Sequence, residues 1–177
     1  MAGHSHWKQI KTHKGVADQK RGIAFSKLLN AVAIAAKSEP NPDFNPRLRT
    51  TINKAHTAGV PNENIERAIK RASSQNDNLE EIMVEAYGPG GTAIIIEAIT
   101  DSRNRTIQEL KALLKELGAK WAEQGSVRWA FEFQSQTNGW LAKFSQQISP
   151  EDMTKLKSLI QTIENHGDVQ SVYANAI

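Results

Sequence analysis

Through the first seventy-five residues, apolar positions recur three and four apart, the spacing of one face of an α-helix. From Val16 to Lys37, Phe25, Leu28, Leu29, Val32 and Ala36 form one stripe, while Lys20 and Lys27 share a separate face. Pro40 and Pro42 end that helix, because proline disfavours helical geometry in the residue before it. Asn45-Pro46 reads as a cap followed by a first helical residue, and Leu48, Ile52 and Ala55 carry the new stripe to Gly59. A third helix follows Pro61-Asn62, with Ile65, Ala68, Ile69 and Ala72 inward and Arg67, Lys70 and Arg71 turned elsewhere. Short connections between three amphipathic helices predict a small antiparallel bundle.

The period changes after the polar stretch Ser73–Asn78, which sets the expected boundary between a basic helical domain, residues 1–75, and a second domain, residues 76–177. Ile82–Tyr87 and Thr92–Thr100 flank Gly88-Pro89-Gly90-Gly91, a hairpin-like turn. Thr106–Glu109 matches a capping box and opens a helix with Ile107, Leu110, Leu113, Leu114 and Leu117 inward, stopped by Gly118. Val127, Trp129, Phe131 and Phe133 alternate with Arg128, Ala130 and Glu132, as in a half-buried strand. Asn138-Gly139 turns into a further strand, Trp140–Ile148. Ser149-Pro150 opens a helix with Met153, Leu156, Ile160 and Ile163 inward, ended by Gly167, and Val169–Tyr173 is a last strand. From Thr92 the order is therefore βαββαβ, a ferredoxin-like module with one extra strand ahead of it, and the predicted fold class is α+β. Leu110, Leu114, Trp129, Phe131, Leu156 and Ile160 are expected to share its core.

Charge divides the chain at the same place. Residues 1–75 hold thirteen Lys and Arg against five Asp and Glu, a net of +8; residues 76–177 hold nine against fourteen, a net of −5, which restores the overall +3. The first half is thus suited to an anionic partner. The excess is densest in MAGHSHWKQIKTHKGVADQKR, where Lys8, Lys11, Lys14, Lys20 and Arg21 face one acid, Asp18. Lysines neutralise phosphates, and the indole of Trp7 can lie against a base or a ribose. A solvated terminus has the same composition, so both readings stay open. Together with Lys27 and the nearby histidines, these residues form the candidate nucleic-acid-binding set.

Other chemistry is sparse. The absence of cysteine excludes disulfides and thiolate metal sites. His4, His6 and His13 have no acidic or thiol partner at a metal-ligating spacing, so no metal or cofactor is expected. Gly88–Gly91 lacks the spacing of a nucleotide fingerprint and leads into a strand, where those loops open a helix. Arg103 and Arg105 stand just ahead of a helix start, whose free N–H groups favour anions. A nucleic-acid phosphate could sit there, or the arginines could pair with Asp101 or Glu109. No nucleophile–base pair, HExxH or Walker loop occurs, so no enzymatic activity is expected. Apolar runs such as 31–36 are too short to span a bilayer and none follows Met1, which predicts a cytoplasmic protein without membrane contact; the sequence leaves the oligomeric state open, with a monomer favoured.

MAGHSHWKQIKTHKGVADQKRG, NPRLRTTINKAHTAGVPNENIERAIKRA, EAYGPGGTAIIIEAITDSRNRT and GSVRWAFE resemble the YebC family, and GDVQSVYANAI resembles its C-terminal end. The family is described as transcriptional regulatory proteins, and members including mitochondrial relatives also as translation factors. The resemblance implies a non-enzymatic, nucleic-acid-binding regulator of gene expression. It either binds promoter DNA or binds the ribosome, touching rRNA and tRNA and relieving stalling at proline-containing stretches. A protein-interaction scaffold using the acidic second domain is the competing class. Typical members carry a third domain between the strands that correspond to Val127–Phe133 and Trp140–Ile148. Here only Gln134–Asn138 joins them, so the resemblance implies a short form lacking that domain between 133 and 140.

Overall fold

The structure is a computed structural model that describes residues 4–72, 78–135 and 138–177, with side chains from residue 18 onward in the first of these stretches. The chain forms two compact units, Met1–Asp77 and Asn78–Ile177.

The first unit holds three helices, α1 (His4–Ala36), α2 (Pro46–Thr57) and α3 (Asn62–Ala72), and α1 packs against both others. Helix α1 starts at His4, well before the Val16 expected from its apolar stripe. Residues 4–15 contain no proline, and Lys and Gln are adequate helix formers, so a polar composition does not itself stop the helix. Buried Asn45 joins α1 to α2. Its Oδ1 accepts from the Leu48 amide at 2.9 Å, while its Nδ2 donates to the carbonyls of Ala35 and Glu39, both at 2.7 Å. One side chain thereby caps the start of α2 and satisfies carbonyls left open at the end of α1. Gly59, at φ 81°, turns the chain out of α2, and the unit closes on Val32, Ala36, Leu48, Ala55, Val60, Ile65 and Ala68.

The second unit is α+β, as expected, but its strands pair differently from the sequence reading. Strands β1 (Glu80–Tyr87), β2 (Ala93–Thr100), β3 (Lys120–Ala122) and β6 (Val169–Ala174) form a four-stranded sheet in the order β3-β1-β2-β6, with antiparallel neighbours throughout. Helix α4 (Arg103–Glu116) crosses from β2 to β3, and α5 (Pro150–Glu164) precedes β6. The ferredoxin-like sheet survives with its third position filled by the upstream strand. Strand β1 reaches β2 through the Gly88–Gly91 turn and pairs with it along its whole length, from Glu80 opposite Thr100 to Tyr87 opposite Ala93. A neighbour so close in sequence closes the smallest loop and takes the central place. The three-residue strand β3 was not foreseen.

The segments expected to complete the sheet instead form a separate hairpin of β4 (Phe131–Gln134) and β5 (Gly139–Ala142). It covers the other face. Ile94, Ile96 and Ala98 of β2 pack with Leu110, Leu114, Leu156 and Leu159 of the helices. Ala93 and Ile95 pack with Val127, Ala130, Phe131 and Trp140. Residues Ala93–Ile96 of strand β2 are apolar on both faces because both are covered. Trp129 does not join the core: residues 128–130 form a 3₁₀ turn that breaks the alternation, leaving Trp129 65% exposed and Phe133 44% exposed. The core expected around six residues is two clusters, with Phe131 in the one opposite the helices. The α5 start matches its reading, with Ser149 Oγ accepting from the Asp152 amide at 3.1 Å. The α4 start does not. Ser102 is the cap residue and makes no side-chain cap bond, while Thr106 lies one turn inside and is fully buried.

Candidate nucleic-acid interface

Lys8, Lys11, Lys14 and Trp7 belong to α1, and their side chains lie outside the described residues. Lys20 and Arg21 are exposed on the same helix; Lys27, two turns beyond Lys20 on one face, is half-buried. The Arg21 guanidinium lies 5.1 Å from the centre of the Phe25 ring, a cation–π contact at the exposed surface of the helix.

The other helices add cations that the sequence reading did not single out. On α2, Thr50, Asn53, Lys54, Thr57 and Ala58 line an open concavity of about 440 Å³. The Thr50 and Thr57 hydroxyls donate to the carbonyls four residues back, at 3.0 and 2.9 Å, which leaves their oxygens and the Lys54 ammonium on the groove. Several arginines serve the fold instead. Arg49 Nη1 donates to the carbonyls of Pro42 and Asp43 at 2.9 and 3.0 Å, closing the α1–α2 turn. Arg67 bonds the Glu63 carbonyl at 3.2 Å and the Asn64 side chain, and Arg71 reaches Asn30 at 3.1 Å.

Arg103 and Arg105 lie in the first turn of α4, on the unfavourable end of the helix dipole for a cation. Carboxylates compensate. Arg103 pairs with Glu80 at 3.2 Å, and Arg105 pairs with Asp168 at 2.9 Å and Asp101 at 3.0 Å, with Glu109 at 3.8 Å. The hydrogen bond from Asp168, then its charge, raises the Arg105 pKa further above its ordinary value, so this group stays charged. The place that a phosphate would take beside Arg105 is held by the protein's own carboxylates. Thr106 donates to Asp168 at 2.5 Å and shares a 2.8 Å hydroxyl contact with Thr100, which ties the start of α4 to the start of β6.

Among the described residues, Glu109, His166 and Asp168 bring potential metal-ligating atoms within 4.8 Å of one another. Arg105 bridges the two acids, and the Asp168 amide donates to His166 Nδ1 at 3.2 Å, leaving Nε2 to meet Glu109 at 3.1 Å. The group is a cross-linked ion-pair network. Among the described residues no helix is long and apolar enough to cross a membrane.

A second surface with binding chemistry lies beyond β3. Buried Glu85 of β1 accepts from three loop amides, Gly125 at 2.6 Å, Val127 at 2.7 Å and Arg128 at 3.1 Å. This internal anion nest fixes the turn that presents Trp129. The Trp129 indole N–H donates to the Ser126 carbonyl at 2.8 Å, and its ring lies 5.7 Å from that of Phe144. Uninterrupted alternation from Val127 to Phe133 hid this turn.

The two units thus differ in charge, +8 over residues 1–75 against −5 over residues 76–177. Comparison supplies the family. The TACO1/YebC protein N-terminal domain matches residues 5–75, and the TACO1/YebC second and third domain matches residues 79–138. This chain belongs to the TACO1/YebC family. A "Probable transcriptional regulatory protein" of Prochlorococcus marinus (strain MIT 9313) is 49% identical over 140 residues, 77% of this chain and 57% of the relative. A protein of the same description from Trichormus variabilis is 49% identical over 137 residues, covering 75% and 54%. The conserved hypothetical protein Aq1575 from Aquifex aeolicus, known from a crystal structure, superposes with a TM-score of 0.82 at 29% identity, over 90% of this chain and 91% of that one. The chain spans just over half the length of the curated relatives it matches.

Proposed function

We propose that this chain is a non-catalytic, cytoplasmic, nucleic-acid-binding regulator of gene expression that docks through the helical unit. The observation that carries the reading is the division of charge: +8 in residues 1–75 against −5 in the rest, with Lys20, Arg21 and Lys54 displayed on helix surfaces. Promoter DNA is the target that the relatives' description suggests. A second reading, a ribosome-associated translation factor contacting rRNA and tRNA, is favoured by the state of α3. This helix follows a short turn, yet its two arginines, Arg67 and Arg71, are bonded within their own unit, which withdraws their forked groups from base reading. Ribosome co-sedimentation and genome-wide DNA occupancy, measured from the same cells, test the two. Preference for one promoter over random duplex by about a thousandfold at physiological salt establishes the transcriptional target and ends the ribosomal one. Stronger retention on ribosomes than on random duplex at matched salt does the reverse.

A further inference from the structure

We infer that Trp129 and Phe144, with Lys143, form a stacking site for an unpaired nucleobase, separate from the cationic helices of the first unit. The inference rests on the nucleic-acid reading above and adds a ligand form to it: single strand, where the helical unit meets phosphates of any strand form. Trp129 is 65% exposed and Phe144 is 51% exposed, an unusual pair of neighbouring surface rings.

Both rings are held in place before any ligand arrives. Glu85 fixes the turn beneath Trp129 through three amides, and the indole N–H is tied to Ser126. The backbone amides of Lys143 and Phe144 both donate to the Ala130 carbonyl, at 2.8 and 3.2 Å, and the Phe144 carbonyl accepts from Asn175 Nδ2 at 2.9 Å. The tilt of 46° between the rings keeps them from closing face to face. Little ordering entropy remains to be lost when a base stacks.

Charge favours a nucleotide over an apolar partner. The Lys143 ammonium lies 5.5 Å from the centre of the Phe144 ring, and Arg128 is the residue before Trp129, with its guanidinium 5.2 Å from the centre of the Trp140 ring. Between residues 126 and 145 these two cations face one acid, Glu132, within a half of the chain whose net charge is −5. Rings flanked by cations suit a base and its phosphate.

The test is anisotropy of the full chain with a labelled oligodeoxythymidylate of about twelve nucleotides, and with the duplex it forms with its complement, at matched salt. Trp129→Ala with Phe144→Ala should weaken single-strand binding at least tenfold, on the order of one stacked base, and leave duplex binding within about twofold. Trp129→Phe should keep most of the single-strand affinity, whereas Trp129→Leu, equally apolar but without a π face, should lose it. Equal behaviour of the Phe and Leu variants, or equal loss on both strand forms, overturns the proposal. Self-association that Trp129→Leu preserves and Trp129→Ala abolishes, with single-strand binding unmoved, overturns it in favour of a protein contact. Duplex binding that depends on Lys20 and Arg21, beside single-strand binding indifferent to Trp129, overturns the stacking site alone. Binding of neither strand form overturns this site and the regulator reading together.

Discussion

The exposed cations of the helical unit and the bonded ions of the α+β unit put charge to opposite ends. In the helical unit, Lys20, Arg21 and Lys54 extend into water, and an Asn side chain, not an ion, makes the central connection between α1 and α2. In the α+β unit, ions are bonded to neighbours: buried Glu85 holds a loop, half-exposed Arg105 gathers three carboxylates, and Glu97 accepts from the Trp140 indole at 2.9 Å. A charge left in water stabilises a fold little and remains available to a ligand; a charge bonded inside stabilises a specific geometry and is withdrawn from ligands. Charge count alone therefore misjudges the start of α4, where Arg103 and Arg105 suggest an anion site yet are paired with carboxylates.

The sharpest test of that contrast is Glu85→Ala. It strands three amides beside a buried position, so the urea-unfolding free energy of the second unit should fall by about 3 kcal/mol. A loss below about 1 kcal/mol would mean that water replaces the carboxylate and that the inward use of charge is incidental. The helical unit should answer oppositely. If about six cations there meet duplex phosphates, log affinity against log salt should have a slope near −5, and Lys8, Lys11 and Lys14 replaced together by alanine should flatten it by about 2 to 3 units with the unfolding midpoint unchanged. An unaltered slope would assign the N-terminal cations to solvent. A smaller effect is expected from Arg105→Ala: about 1 kcal/mol of stability, because the group is half-exposed, and no change in the salt slope. A flatter slope in that variant would show that Arg105 releases its carboxylates to meet phosphate.

The smallest effect concerns Tyr173. Burial pushes its phenol above the usual range; a hydrogen bond with Ser171 opposes the rise, and Glu97 adds to it. A raised value in the folded state favours the neutral phenol, so its contribution is complete below the unfolded value, about 10, and is lost as pH rises through the folded one. The stability difference between the wild-type chain and Tyr173→Phe should accordingly shift in favour of the variant above about pH 10, in urea titrations across that range. A constant difference would place the phenol in contact with water.

Local signals in the sequence were legible and long-range ones were not. Asn45-Pro46 and Ser149-Pro150 cap helices as their residue types demand, and the Gly88–Gly91 turn joins paired strands. These outcomes depend on a few consecutive residues. Strand β3 has three residues, too few for a period, and Trp129 kept the alternation of its neighbours through a turn imposed by Glu85, some forty positions earlier. Thr106 resembled a cap because its partners, Thr100 and Asp168, are close only in the folded chain. For the candidate interface, charge density pointed to α1, but whether an arginine is available or engaged is decided by which acid the fold brings to it. The consecutive apolar residues Ala93–Ile96 of β2 are the local signal for cover on both faces of the sheet.

The hairpin that provides that cover has a consequence for how such a chain can lengthen. Gln134 and Gly139 stand opposite each other at its turn end, outside the four-stranded sheet. Chain leaving at the first residue and returning at the second begins and ends at one place, whatever its length, and the closure cost grows only with the logarithm of that length. The ladder from Phe131 to Ala142 is thus a port at which added chain lengthens the hairpin's turn and leaves the pairing of the four-stranded sheet as it stands. Growth of a family by accretion needs a seam of this kind, and here it lies beside the ring of Trp140, whose bond to Glu97 anchors the port to the sheet below.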